Sequence, residues 1–336
     1  MTAQPAAVYL TTYLAALAPL LARPEVTDLY VNRPGEVWVE TLCGGLERHE
    51  ASGLDETTLW RLARQIASLS HQGVNREHPL LSATLPDGAR VQIIAPPATR
   101  GPMALAVRKH VIADLSLDGY AEQGFFDQVR TGDDSEAAVA DAGLRELLES
   151  GRIVDFLREA VRRRKNIVVA GGTSTGKTTF VNALLKEIPR HERLILIEDA
   201  AEIRIEHENA VGLLAVRGET GEARVTAEDL LQACLRMRPD RIILGELRGR
   251  EAASFLRAVN TGHPGSITTL HADSPEGAVE QLSLMVLQAG LNLGRAEIAA
   301  YVRNVVDVFV QLARADGRRT VSQILLRGPP PAAGHP

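Results

Sequence analysis

Residues Gly171-Gly172-Thr173-Ser174-Thr175-Gly176-Lys177-Thr178 carry the spacing G-x-x-x-x-G-K-[ST]. Glycines let such a loop wrap closely, so that backbone N–H groups and the next helix N-terminus cradle phosphates. The lysine reaches the terminal phosphates and the hydroxyl holds Mg2+. On its own the pattern also describes a tight turn. Here the flanks suit a phosphate loop: the β-branched run NIVVA precedes it, and the helical pattern TTFVNALLKE, with Thr179 in its first turn, follows. Nucleotide binding over 171–179 is the reading this context supports.

Two further apolar runs end in acids. Leu194-Ile-Leu-Ile runs into Glu198, Asp199 and Glu202, and Arg241-Ile-Ile-Leu is followed by Gly245 and Glu246. A strand of the second kind usually ends in the aspartate that holds magnesium, and here Gly245 stands in that place. Either the site is inactive or its metal is held elsewhere. Glu198 and Asp199 are the nearest candidates to reach Mg2+, with Thr178, directly or through water; otherwise they are capping acids of a solvated turn. Glu246 is placed to orient or deprotonate an attacking water, an acid's role near a γ-phosphate; the bland alternative is a turn cap. Gly245 leaves room for water or a neighbouring side chain.

His263 lies in a Pro/Gly turn and His271 at the end of the strand-like run that follows. A full strand between them is poor spacing for a metal, so sensing of the terminal phosphate suits the pair better, although either alone reads as an ordinary hydrogen-bonded histidine. Arg108, Arg204, Arg217, Arg224 and Arg248 are candidates to contact the γ-phosphate, since a planar guanidinium suits phosphoryl transfer. Taken singly, each reads as a surface or salt-bridge residue. The run Arg162-Arg163-Arg164-Lys165 ends a helical pattern, where cations favour the helix dipole; it reads first as solvated and second as a contact for an acidic partner.

The elements that must position these groups follow from pattern. At 336 residues, 45% hydrophobic and 24% charged, the chain suits about two globular domains. Residues 1–115 read as a small α+β domain. It has hairpin signals at Asn32–Gly35 and Asp87–Gly88, and Leu59, Leu62, Ile66 and Leu69 take helical spacing between them. Residues 116–150 are polar and acidic and read as a linker. Residues 151–327 alternate strands (166–170, 194–197, 241–244, 266–270) with helical patterns, which predicts a parallel α/β sheet. GPPPAAGHP from Gly328 onward reads as a disordered tail.

The net charge of −5 argues against stable, sequence-specific nucleic-acid binding. Cys43 and Cys234 lack a Cys-x-x-Cys partner, which excludes a disulfide framework or four-thiolate zinc site and fits a reducing cytosol. The apolar stretch Leu10–Ala22 is interrupted by Thr11, Thr12 and Pro19 and is short for ~30 Å of hydrocarbon. With no Lys or Arg before it, it reads as an amphipathic helix on its own domain, with a membrane-surface helix as the alternative.

Taken together, GGTSTGKTT, LIEDAAEI, CLRMRPDRIILGELRG and NTGHPGSITTLHADSPEGAVEQL resemble the Walker A, Asp box, Walker B and His box of the secretion ATPase superfamily. RMRPDRI and GHPGSITTLHA are most similar to the type IV secretion traffic ATPases of the virB-operon type. With LLSATLPDGARV and AVRKH, the resemblance covers roughly residues 25 to 325. It implies a RecA-like P-loop NTPase C-terminal domain beside the smaller N-terminal domain, six copies in a ring, and ATP with Mg2+ held between the domains. It also implies a cytoplasmic location, peripheral at the inner membrane, with work on protein or nucleoprotein cargo alongside other secretion ATPases and inner-membrane subunits. Members of the superfamily likewise lack the Walker B aspartate, so the resemblance implies an active ATPase. It assigns Lys177 and Thr178 to phosphate and Mg2+ and makes Glu246 the catalytic acid/base. Glu198, Asp199 and Glu202 become the acidic box, His263 and His271 the His box, and Arg108 a looser match to an N-terminal-domain arginine that approaches nucleotide. Relatives in type II secretion often carry a four-cysteine zinc module that this chain lacks. The alternatives are a pilus or conjugation ATPase of a sister branch, and an assembly scaffold that ATP merely orders.

Overall fold

The computed structural model describes residues 5–327 apart from 43, 110–115, 123, 125, 128, 130–134, 217–221, 291 and 316. Helices α1 (Pro5–Leu14) and α2 (Ala18–Leu21) open the chain. Leu10 and Leu17 are buried in the N-terminal core, so this stretch packs on its own domain. Pro19 falls in the first turn of α2, where a missing N–H is tolerated. Then come β1 (Val26–Val31), β2 (Gly35–Thr41), β3 (Leu46–Ala51), α3 (Glu56–Leu69), β4 (Leu80–Thr84), β5 (Arg90–Ile94) and β6 (Ala104–Arg108). The six strands form one antiparallel sheet in the order β3-β2-β1-β6-β5-β4. Both expected hairpins are present. The Asp55 carboxylate caps α3 by accepting the Thr58 N–H at 2.6 Å. The helix buries Leu59, Leu62 and Ile66 in one core with Leu29, Val31, Val37 and Val39 of the sheet.

Strand β1 does not alternate as a half-exposed strand should, because Leu29, Tyr30 and Val31 are all buried. The sheet's second face docks on the C-terminal domain: Tyr30, Trp38, Ile94 and Ala106 share a core with Val211, Leu213 and Met237. Into this junction Arg193 sends a guanidinium that stacks 4.1 Å from the Tyr30 ring centre and donates to Asn32 Oδ1 at 2.8 Å. Burial lowers its pKa to about 10, so it stays a cation at neutral pH, and a desolvated cation–π contact of this kind contributes about 2 kcal/mol.

Helices α4 (Leu117–Glu122) and α5 (Ser135–Glu149) occupy the stretch expected to be linker. That boundary needs correcting. Leu144 is fully buried, with Leu147 and Leu148 packed beside it, in one core with Phe156 and Ile188 of the C-terminal domain. The helical spacing of these leucines outweighs the polar composition around them. Residues 131–134 and the tail from 328 lie outside the described residues.

Beyond α6 (Ile153–Arg162) the chain alternates β7 (Ile167–Gly171), α7 (Lys177–Leu185), β8 (Leu194–Glu198), β9 (Ala210–Leu214), α8 (Ala227–Cys234), β10 (Arg241–Leu244), α9 (Glu251–Asn260) and β11 (Ile267–Leu270). It closes with α10 (Pro275–Gln288), α11 (Arg295–Val305) and the hairpin β12 (Val308–Ala315) and β13 (Arg318–Leu326). The sheet order is β13-β12-β7-β11-β10-β8-β9, parallel except for the β12–β13 pair. The chain leaves β7 toward β8 on one flank and reaches β12 on the other. The C-terminal end of β7 is therefore a switch point, where open α/β sheets take ligands.

Candidate functional site

At that switch point the loop after β7 turns into α7 and floors a cleft of about 610 Å³. Two glycines are there for different reasons. A Cβ on Gly171 would lie 2.9 Å from the Leu312 carbonyl oxygen of β12, whereas Gly176 sits at φ +92°, which side chains disfavour. The Thr175 hydroxyl donates to the Gly172 carbonyl at 2.9 Å and ties the loop to itself. Lys177, first residue of α7, donates through Nζ to the carbonyls of Gly171 (2.8 Å) and Gly172 (3.1 Å). Burial pushes its pKa down, and the Glu246 carboxylate works against that shift. The first N–H groups of α7 have no partner within the helix, so the cleft floor offers donors and a cation to an anion.

The acids enter from β8 and β10. Glu198 is engaged through both oxygens: Oε1 accepts the backbone N–H groups of Glu202 (3.1 Å) and Ile203 (2.9 Å), and Oε2 forms an ion pair, outside hydrogen-bond geometry, with Arg100 of the N-terminal domain. The expectation that Glu198 joins Thr178 at a metal therefore does not match the packing. The carboxylate facing Thr178 is that of Glu202, which accepts the Thr178 hydroxyl at 3.1 Å. Hydroxyl and carboxylate side by side are the oxygen donors Mg2+ takes in P-loop sites. Among the described residues no cluster of three or more His, Cys, Asp or Glu forms a metal cage, and a nucleotide site needs none, since phosphates and water complete the shell.

Gly245 now has a physical reason. Its N–H donates to the Ile197 carbonyl at 2.8 Å and its carbonyl accepts the Thr269 hydroxyl at 2.7 Å, so the backbone is held from β8 and β11. A Cβ there would lie 2.9 Å from Glu198 Cγ. The space where an aspartate would stand is filled by the Glu198 side chain.

Glu246 lies in the cleft. Its Oε2 accepts from Arg248 Nε at 2.7 Å and also from Arg248 Nη2. Its Oε1 is buried without a hydrogen-bond partner among the described residues, and His271 Nε2 lies 2.7 Å away, close enough to pair electrostatically but outside hydrogen-bond geometry. Arg248 also pairs with Asp199 at 3.3 Å. At the other end of β10, fully buried Arg241 is bidentate to Glu192 at 2.5 and 3.0 Å, which fixes the strand's start.

Not all expected residues converge. His263 sits before β11, at the end of the strand opposite the cleft. There Nδ1–H donates to the Pro239 carbonyl at 2.8 Å, and burial pushes the pKa down. That bond is structural, and of the two histidines His271, just past the end of β11, is the one that lines the cleft, together with Thr269 of β11. Arg108 ends β6, donates through Nε to Asp28 at 2.8 Å and lines a separate cleft with Arg90 and Arg236. Arg204 lines a neighbouring hollow, Arg224 is exposed outside the cleft, and Arg217 lies outside the described residues. Two arginines carried no sequence signal: Arg319 of β13, whose Cδ would be 3.1 Å from a Cβ on Gly176 and which lines the cleft, and Arg100.

Comparison with known proteins finds relatives over most of the chain. The family Type II/IV secretion system protein matches residues 136–323. The type IV secretion system protein VirB11 of Brucella suis is 42% identical over 306 residues, covering 89% of this chain and 84% of that protein. The PtlH homolog of Bordetella bronchiseptica, another type IV secretion system protein, is 39% identical over 333 residues, covering 95% and 96%. Among solved structures, the VirB11 ATPase from the Brucella suis type IV secretion system, in complex with sulphate, superposes with a TM-score of 0.87 at 39% identity over 96% of this chain and 95% of that one.

Proposed function

This chain belongs to the Type II/IV secretion system protein family, and from that premise we propose how its cleft hydrolyses ATP. The protein is an ATPase motor of type IV secretion with a RecA-like ATPase domain. The observation that carries the mechanism is the buried Glu246 Oε1, without a hydrogen-bond partner among the described residues, beside a P-loop.

The loop N–H groups and the Lys177 ammonium bind the β- and γ-phosphates, and Thr178 with Glu202 would hold Mg2+. Bound there, the metal would neutralise charge developing on the phosphate oxygens. A water attacks the γ-phosphorus, the bond to the β–γ bridging oxygen breaks, and ADP and phosphate leave. Glu246 Oε1 takes the water proton, while Arg248 and His271 fix the carboxylate from either side. Arg319 covers the loop from β13 and screens the phosphates from bulk water.

Arg108 lines a separate cleft, so its role in nucleotide binding is proposed to be toward a neighbouring copy in a six-membered ring. No helix among the described residues is long and apolar enough to cross a membrane. Attachment at the inner membrane is proposed to run through protein partners, namely other secretion ATPases and membrane subunits, with protein or nucleoprotein cargo. The test is ATP turnover per subunit across rising protein concentration, for the wild-type chain and Lys177→Ala. Wild-type turnover should climb and level as copies assemble, and Lys177→Ala should lose at least about 10²-fold. Wild-type turnover in that variant would refute the proposal.

A further inference from the structure

Arg100 leaves the N-terminal domain in the loop between β5 and β6. That loop lies along the edge strand β9: the Leu214 N–H donates to Ala98 O at 3.0 Å, the Arg100 N–H donates to Gly212 O at 2.9 Å, and Thr99 bridges Leu213 antiparallel. The guanidinium then reaches inward. Nη1 donates to the Ile203 carbonyl at 2.6 Å and Nη2 pairs with Glu198 Oε2. The two side chains are 15% and 3% exposed.

Two glycines clear the path of this pair. A Cβ on Gly212 would lie 2.5 Å from Arg100 Cδ, and one on Gly245 would lie 2.9 Å from Glu198 Cγ. Neither glycine has a positive φ, so what each supplies is space and not a special backbone conformation. A pair that merely stapled two domains could sit anywhere along the junction. This one ends on the carboxylate that accepts the N–H groups of Glu202 and Ile203, and Glu202 in turn accepts the Thr178 hydroxyl.

We infer that Arg100 is a positioning residue: by pinning Glu198 to the 202–203 backbone it sets Glu202 opposite Thr178, tying the N-terminal domain to the metal side of the cleft. The functional meaning rests on the ATPase reading above; the positioning itself does not. Buried pairs resist removal of one partner because the other charge is left uncompensated.

The test is amide hydrogen exchange on the full nucleotide-free chain, comparing wild type with Arg100→Ala, Arg100→Lys and Glu198→Gln. The Glu202 and Ile203 amides exchange at least about tenfold faster in Arg100→Ala, while those of β7 keep wild-type rates. Arg100→Lys, which keeps the cation but cannot serve both acceptors, is intermediate. Glu198→Gln keeps the shape without the charge and loosens the same two amides by roughly threefold, which preserves the test if Arg100→Ala does not fold. With ATP and Mg2+, kcat falls by about threefold in Arg100→Lys and about tenfold in Arg100→Ala at nearly constant KM. Unchanged exchange at 202 and 203 in the variants overturns the inference, as does equal acceleration in β7. A wild-type chain without ATP turnover would sink the ATPase reading alone, leaving the exchange result to judge the positioning.

Discussion

Replacing Gly245 with aspartate would put back the residue that a Walker B strand usually carries, and the packing predicts that it harms the enzyme. The new Cβ meets Glu198 Cγ at 2.9 Å and the Ile197 carbonyl oxygen at 3.5 Å. Neither neighbour can retreat: Ile197 is inside the sheet, and the Glu198 carboxylate is held by two backbone N–H groups and Arg100. Overpacking of this kind costs about 1–3 kcal/mol, which is the expectation for Gly245→Ala. Aspartate adds a second negative charge beside a buried carboxylate, about 4 kcal/mol more for charges roughly 4 Å apart at an effective dielectric of 20. Thermal unfolding of the alanine variant should shift down by several degrees and that of the aspartate variant further. ATP turnover should fall at least about 10²-fold in Gly245→Asp, because Glu198 cannot move without disturbing Glu202. In a double-mutant cycle, Gly245→Ala and Glu198→Ala should couple by at least about 1 kcal/mol. Gly245→Asp with wild-type melting and turnover would show that Glu198 does not occupy the aspartate's place.

Arg319→Ala should weaken ATP binding by roughly tenfold, the loss of about 1.5 kcal/mol from one charge-assisted contact, with a smaller effect on kcat; binding by fluorescent nucleotide titration checks it. His263 and His207 are both held below their ordinary pKa, chiefly by burial. The folded chain therefore binds fewer protons than the unfolded one between those lowered values and about 6.5, and stability is lost as pH falls through that window. Melting temperature should drop on acidification from about pH 7.5 to 5.5, and His263→Gln should flatten part of that drop; an unchanged slope would count against a buried neutral His263.

Much of this architecture is written in local pattern. The P-loop, the parallel strands and both N-terminal hairpins follow from spacing and turn residues, because each is specified by neighbours within about ten positions. What sequence left open depends on contacts far apart in the chain. Leu144 looked like linker because its burial comes from Phe156 and Ile188, not from its own segment. His263 and His271 read as a pair because one strand joins them, but a strand sends its two ends to opposite edges of the sheet, and only the C-terminal edge carries the cleft. Glu198 attracted the metal assignment because the missing aspartate invited it, and only the fold shows that Arg100, 98 positions earlier in the numbering, already holds it. Arg319 sits in a run, DGRRT, with no chemical signature, and reaches the loop only because β12 pairs with β7.

Glu246, and not a Walker B aspartate, is proposed to activate the attacking water, and single-turnover hydrolysis by Glu246→Gln at saturating ATP and Mg2+, set beside equilibrium nucleotide binding, is the decisive experiment. Wild-type affinity with cleavage slowed by about 10²–10³-fold is expected, since glutamine keeps the shape and the Arg248 contact but cannot take the proton. Cleavage at the wild-type rate would contradict it.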